Sequence, residues 1–141
     1  MLVVFIAICA IVTLCVVIHY EFLYQLTRLM PKIKIKHRFR IVLGVIGALI
    51  AHSLEIWVFA LAYYWMHGAD NWGRLQGNYD GSVLASAYFS FTTYTTLGLG
   101  DIAPFGAVRY LAGIESLTGL LLITWTASFL YIEMTRSWDI D

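Results

Sequence analysis

The residues with the clearest chemical use form one glycine-containing segment, residues 95–101, which reads Thr-Thr-Leu-Gly-Leu-Gly-Asp. A dehydrated cation inside a membrane must be ringed by oxygen atoms, and backbone carbonyls supply them most densely. Gly98 and Gly100 lack a Cβ atom and reach backbone angles closed to most residues, so successive carbonyls can point toward one axis. We call residues 95–101 the filter segment. We predict that it binds a cation through its backbone, with a hydroxyl from Thr96 and a carboxylate from Asp101 at its two ends.

Composition places the filter segment in a membrane protein. Of the 141 residues, 60% are hydrophobic and 13% are charged, and the mean hydropathy is +0.76, which does not describe a soluble domain. Spanning the hydrocarbon takes about 20 apolar residues, and three stretches qualify, at residues 2–26, 41–66 and 107–131. A cleaved signal peptide is the alternative for the first stretch, but that stretch lacks a basic start and a small-residue cleavage site.

Positive charge is concentrated in a short linker, residues 31–40, between the first two spans. The positive-inside rule puts this linker in the cytoplasm, so we expect the N-terminus outside, the C-terminus inside, and the protein in the plasma (inner) membrane. The same residues are candidates for contact with anionic lipid. They are Lys32, Lys34, Lys36, Arg38 and Arg40.

The region between the second and third spans divides into a polar part and an apolar part. Residues 67–80 are polar and glycine-rich, which predicts an external turret. Residues 82–94 are mostly apolar and uncharged, which predicts a helix too short to cross the bilayer, with Asp80 or Ser82 at its N-cap. A short helix followed by irregular glycine backbone is tolerated at membrane depth only where protein or water surrounds it.

The filter segment resembles the selectivity filter of the potassium channel superfamily, whose usual form is Thr-Val-Gly-Tyr-Gly. The five matching positions are Thr96, Leu97, Gly98, Leu99 and Gly100, and Asp101 and Pro104 also match in type and spacing. Leu99 replaces the usual tyrosine, as Leu or Phe does in the second pore loop of many two-pore-domain potassium channels. The filter therefore lacks the tyrosine hydroxyl that can brace it from behind.

The resemblance covers roughly residues 41–131 and implies K+ bound at Thr96, Leu97, Gly98 and Leu99, with Thr95, Gly100 and Asp101 completing the filter. It divides the chain into an N-terminal transmembrane helix at 1–30, the basic linker at 31–40 and a pore domain at 41–141. Within the pore domain we expect an outer helix at 41–66, the turret at 67–80, a pore helix at 82–94, the filter at 95–101 and an inner helix at 105–134.

Around the filter, we expect Leu97 and Leu99 to pack outward against the pore helix. Thr92 occupies the position where some bacterial channels place a glutamate that partners the filter aspartate. Tyr88 is the alternative partner of Asp101, although a buried aromatic contact is the role we favour for it.

One filter segment cannot encircle an ion, and four copies are the rule in this superfamily. The predicted fold class is therefore an all-α membrane protein, with three transmembrane helices, a re-entrant pore helix and a filter loop, assembled as a homotetrameric pore. Gly119 is either a hinge or a close-packing position of the inner helix. The best candidates for the cavity wall, since they share one helical face, are Leu120, Ile123, Thr124 and Ala127.

Three titratable residues fall well inside the second and third predicted spans, where charge is costly and usually paired or functional. His52 and Glu55 share one face of the second span, and Glu115 lies at a similar depth in the third. We expect a polar cluster behind the filter that contacts Thr92, Thr93 or Thr95, either as a pH-sensitive element or as a structural network, which we favour. Cys9 and Cys15 indicate neither a disulfide nor a metal site.

Two functions from different classes remain open. The first is a passive potassium-selective channel, and the second is a non-conducting membrane accessory subunit that retains the pore fold; a non-selective cation channel is intermediate. No catalytic arrangement of residues is present, so we predict no enzyme, no cofactor besides the permeant ion, and no nucleic-acid partner. The intact glycines, Thr96 and Asp101 favour conduction of potassium.

Overall fold

The computed structural model of the protein describes residues 2–33, 37–69 and 71–138. In chain order, the elements are α1 (Leu2–Leu29), a short 3-10 turn (Met30–Lys32), α2 (His37–His67), β1 (Arg74–Gly77), α3 (Val83–Tyr94), β2 (Ile102–Phe105) and α4 (Val108–Trp138). By length and composition, α1, α2 and α4 qualify as membrane-spanning helices. The three predicted spans thus correspond to the three long helices.

Helix α2 is the central element and packs against α1, α3 and α4. The main core lies where α2 and α3 meet α4, and its largest fully buried side chains include Phe59, Tyr63, Tyr94 and Leu111. A smaller cluster of Leu23, Leu26 and Met30 lies at the end of α1 and packs against Phe129 of α4. There α2 approaches closely, because a Cβ added at Gly47 would lie 2.9 Å from the Leu26 side chain.

A two-stranded antiparallel sheet connects the turret to the segment that follows the filter, and the sequence did not predict it. Arg74 pairs with Phe105 and Gly77 pairs with Ile102. The strands approach so closely that a Cβ at Gly77, whose φ is +101°, would lie 2.3 Å from the Asp101 carbonyl oxygen. The inner helix therefore begins at Val108 and not at residue 105 as predicted, because residues 102–105 are held in the sheet.

The basic linker is shorter than predicted, because α2 already begins at His37. Pro31 stands in the first turn of the 3-10 helix, where a missing amide proton does no harm. Arg40 Nη2 folds back to donate to the Ile33 carbonyl at 3.4 Å. Of the proposed lipid-contacting residues, Lys34 and Lys36 lie outside the described residues, as does the side chain of Arg38.

Helix α3 starts directly after a polar N-cap residue, Ser82. Ser82 Oγ accepts a hydrogen bond from the Ala85 amide at 3.0 Å, so Ser82 and not Asp80 is the N-cap. Asp80 instead accepts from the Ser82 amide at 2.9 Å and holds the cap in place. Of its 12 residues, Ser90 is fully buried, and its hydroxyl oxygen lies 2.9 Å from the Ile56 carbonyl oxygen of α2. The short helix is thereby fixed along α2.

Candidate functional site

The filter segment has an alternating backbone. Thr96, Gly98 and Gly100 have φ angles of +59°, +54° and +81°, whereas Leu97 and Leu99 between them are not in the positive-φ region. Alternation between positive and negative φ angles can turn successive amides toward one side of the chain and the carbonyls toward the other. The segment can therefore present a row of carbonyl oxygens to one ion pathway.

The amides of this segment are held by the end of α3. Thr96 N donates to Thr93 O at 3.0 Å, and Gly98 N donates to Thr92 O at 2.9 Å. Both bonds use carbonyls that the last turn of a helix leaves without a partner. Because the amides point back at α3, the carbonyl side of the filter segment faces away from it.

Thr96 is the strained member of the segment. A left-handed φ is unfavourable for a β-branched residue, at a cost on the order of 1–2 kcal/mol, and sequence reasoning did not anticipate it. Such strain persists only where the surroundings enforce it, and it concentrates at functional sites. Here the enforcing contact is the hydrogen bond from the Thr96 amide to Thr93.

The open face of the filter segment lies at the surface of the single chain. Residues 95–100 are all exposed, and Leu97 and Leu99 retain 64% and 58% of their exposure. The predicted packing of these two leucines against the pore helix is therefore not made within one chain. The physical reason is the hydrogen bond from the Gly98 amide to the Thr92 carbonyl. It holds the backbone of the filter segment against the backbone of α3 and leaves the leucine side chains outside.

Asp101 is held from two directions at the end of the filter segment. Tyr88 Oη donates to Asp101 Oδ2 at 2.9 Å, and Asn78 N donates to the Asp101 carbonyl at 2.9 Å. Tyr88 is 39% exposed, so the favoured prediction of a buried aromatic contact was wrong and its alternative is observed. Thr92 does not replace the absent glutamate, because its hydroxyl donates to the Phe89 carbonyl.

The first buried carboxylate, Glu55, joins all four helices. Its Oε1 atom lies 2.8 Å from His19 Nδ1 of α1, and its Oε2 atom lies 3.1 Å from His52 Nδ1. Tyr94 of α3 donates its hydroxyl to Glu55 Oε2. Thr126 Oγ1 of α4 is within hydrogen-bonding distance of both histidines. His19, which interrupts the apolar run of the first span, was not predicted to take part.

The second buried carboxylate, Glu115, has separate partners. It accepts hydrogen bonds from Tyr63 of α2 and from Ser90 of α3, the latter at 2.5 Å. The predicted cluster is therefore only partly present, because His52 and Glu55 pair but Glu115 does not bond to either of them. The carboxylates lie on different helices and face different neighbours, and in the described parts of the chain neither bonds to Thr92, Thr93 or Thr95. The Thr93 carbonyl is instead bonded by Ser116 Oγ at 3.1 Å.

Gly119 serves close packing between α4 and the end of α3. A Cβ at this position would lie 2.2 Å from the Tyr94 carbonyl oxygen, so any larger residue would separate the two helices. Of the two alternatives for Gly119, packing is the one with a structural basis.

The four predicted cavity-wall residues do not share one environment. All are exposed in the single chain: Leu120, Ile123, Thr124 and Ala127. Ile123 and Ala127 line an apolar groove between α4 and α2, which also contains Val45 and Leu49, whereas Leu120 and Thr124 are not part of its lining. Their role as a cavity wall stays a prediction.

Comparison with family models matches residues 41–136 to a family described as "Ion channel". This match includes α2, α3, the filter segment and nearly all of α4, and it leaves α1 outside. No curated protein and no solved structure matches the chain. The predicted all-α membrane fold class and the absence of an enzyme family are confirmed. Because the match spans more than half of the chain, the protein belongs to this ion channel family and is an integral membrane protein with an additional N-terminal helix.

Proposed function

We propose that the protein is a potassium-selective channel that conducts K+ passively through the filter segment. The observation that carries the proposal is the alternating backbone at Thr96, Gly98 and Gly100, with the amides of Thr96 and Gly98 bonded back to α3. This arrangement leaves the carbonyl oxygens free to replace the hydration shell of an ion. We assign the K+ positions to Thr96, Leu97, Gly98 and Leu99.

Conduction requires several copies of the chain around one axis. A single chain offers one row of oxygens, and its Leu97 and Leu99 side chains remain exposed. Closed cyclic symmetry is the ordinary way to surround an axis, and the potassium channel resemblance favours four copies. We therefore propose a homotetramer in which neighbouring copies cover the two leucines.

Selectivity for potassium is proposed because the coordinating oxygens belong to the backbone. Replacement of the usual tyrosine by Leu99 removes a hydroxyl behind the filter but no coordinating oxygen. The hydrogen bond from Tyr88 to Asp101 supplies a brace at the end of the segment. We also propose that the N-terminus is external and that Lys32 and Arg40 belong to the cytoplasmic end of the bundle, because of the positive-inside rule.

The test is ion flux into liposomes that contain the purified full-length protein, measured for K+ and Na+ in parallel. Gly98→Ala should abolish K+ flux, because a Cβ strains a residue whose φ is +54° and thereby disturbs the alignment of the carbonyls. Gly81→Ala is the matched control. Its φ is +79° and its added Cβ likewise meets nothing within 4 Å, but it lies outside the filter segment and should retain K+ flux.

The outcomes separate the candidate functions. K+ flux without Na+ flux, lost in Gly98→Ala and kept in Gly81→Ala, supports the proposal. Equal K+ and Na+ flux would make the protein a non-selective cation channel. Absence of flux from a verified tetramer would favour an accessory subunit that keeps the pore fold. Loss of flux in both variants would refute the special role of the filter glycine.

A further inference from the structure

Three side chains of the kinds that bind transition metals meet inside the helix bundle. His19 comes from α1, and His52 and Glu55 come from α2, and one ligand atom from each lies within 4.8 Å of the others. Ligands held at about 2.0–2.1 Å from a tetrahedral Zn2+ stand about 3.3 Å apart. His19 Nδ1 lies 2.8 Å from Glu55 Oε1, and His52 Nδ1 lies 3.1 Å from Glu55 Oε2, so the ligand atoms need to shift by only about 1 Å to surround one ion.

The far sides of both histidine rings are also arranged as in metal sites. His19 Nε2 and His52 Nε2 lie 3.3 Å and 3.0 Å from the same atom, Thr126 Oγ1. A metal-bound histidine usually donates its other ring N–H to an oxygen atom. With a metal at both Nδ1 atoms, each Nε2 carries a proton, and the Thr126 hydroxyl oxygen has lone pairs to accept both.

Charge balance favours a cation beside Glu55. Glu55 is fully buried, and within the described parts of the chain its ion pairs are with His19 and His52 only. A carboxylate at membrane depth is costly unless it is paired. The Tyr94 hydroxyl orients the carboxylate by donating to Oε2, which is the outer-shell support that metal-binding carboxylates usually have.

We propose that His19, His52 and Glu55 form a binding site for a transition-metal dication such as Zn2+, with Thr126 and Tyr94 as positioning residues. Imidazole and carboxylate ligands suit this class of ion, and a water or hydroxyl completes a four-coordinate shell. His52 keeps 15% of its side-chain exposure and lines the groove between α2 and α4.

The site would fasten the N-terminal helix to the pore domain. His19 lies outside residues 41–136, which match the ion channel family, so this ligand is supplied by the additional helix. Tyr94, which bonds to Glu55, directly precedes the filter segment. The chain therefore connects the metal site to the start of the filter segment. The metal site does not depend on potassium selectivity, and either inference stands if the other fails.

The first experiment measures Co2+ binding to the chelator-treated full-length protein in detergent, after removal of any affinity tag. Four-coordinate Co2+ with nitrogen and oxygen ligands has intense visible absorption, and Zn2+ should displace it. We expect saturation at about one Co2+ per chain. Absence of saturable binding to the wild-type protein would overturn the proposal, and this outcome does not depend on whether any variant folds.

Variants assign the ligands. His19→Gln and His52→Gln should each weaken Zn2+ binding more than about 100-fold, since loss of an outer-shell partner alone costs 10–100-fold. Thr126→Val, which keeps the side-chain shape, should weaken binding by about 10–100-fold. Glu115→Gln alters the other buried carboxylate, and His67→Gln alters the histidine that ends α2, 15 residues along the helix from His52; both variants should bind Zn2+ as the wild type does. Wild-type affinity in His19→Gln or His52→Gln would overturn the assignment.

Discussion

Replacing Gly119 with alanine should displace the end of α3 and disturb the filter segment. The added Cβ would lie 2.2 Å from the Tyr94 carbonyl oxygen, about 0.8 Å inside the 3.0 Å that real Cβ atoms keep. Because the obstacle is backbone, a rotamer change cannot relieve the clash. Either α4 or the last turn of α3 must move, and that turn provides the carbonyls to which Thr96 and Gly98 are bonded.

The size of the effect follows from the cost of overpacking, which is about 1–3 kcal/mol for an added methyl-sized group. Gly113→Ala on the same helix is the matched control, since its Cβ meets nothing within 4 Å. Both substitutions gain the same helix propensity, up to about 1 kcal/mol. The difference between the two variants therefore isolates the steric term.

Two measurements check this prediction. Chemical unfolding in detergent should show Gly119→Ala less stable than Gly113→Ala by about 1–3 kcal/mol. If the strain is carried by the filter segment, it disfavours the conducting conformation by the same energy. The population of that conformation, and with it K+ flux into liposomes, should then fall by about 5- to 150-fold. Equal stability and equal flux in the two variants would refute the argument that α4 packs on the Tyr94 carbonyl.

Two further predictions concern the ends of the filter region. Tyr88→Phe removes the hydroxyl that donates to Asp101, a loss of roughly 1 kcal/mol, and should lower sustained K+ flux in liposomes about fivefold; unchanged flux would show that this brace is dispensable. Gly73→Ala places a Cβ 2.2 Å from the Phe105 carbonyl oxygen at a φ of +104°, so in chemical unfolding it should be less stable than Gly81→Ala by about 1–3 kcal/mol. Equal stability of those two variants would argue against close pairing of β1 and β2.

Local features of the sequence predicted the helices well. The apolar runs identified α1, α2 and α4, and the polar residues before residue 83 located the start of α3. The absence of a Cβ at Gly98 and Gly100 correctly indicated positive φ angles. The same reasoning missed Thr96, because a left-handed φ is unfavourable for a β-branched residue and is held here by the hydrogen bond from the Thr96 amide to the Thr93 carbonyl.

Features that depend on distant partners could not be predicted. β1 and β2 have four residues each, contain Gly or Pro, and pair across the whole of α3 and the filter segment, so no local alternation identifies them. Counting along the helices predicted a similar membrane depth for Glu55 and Glu115. That count does not determine which neighbouring helix each side chain faces. The rotation of α1 that brings His19 to Glu55 is set by packing, and the sequence has no local signal for it.

The placement of Glu115 also has a consequence for how the chain enters the membrane during synthesis. The three candidate spans become less apolar along the chain, and α4 is the least apolar. Carrying an unpaired carboxylate into the hydrocarbon costs on the order of 3 kcal/mol. Glu115 is bonded by Tyr63 of α2 and Ser90 of α3, and both of these helices are made before α4. The earlier helices thus supply a polar docking position for the last span, and stable insertion of α4 should depend on them.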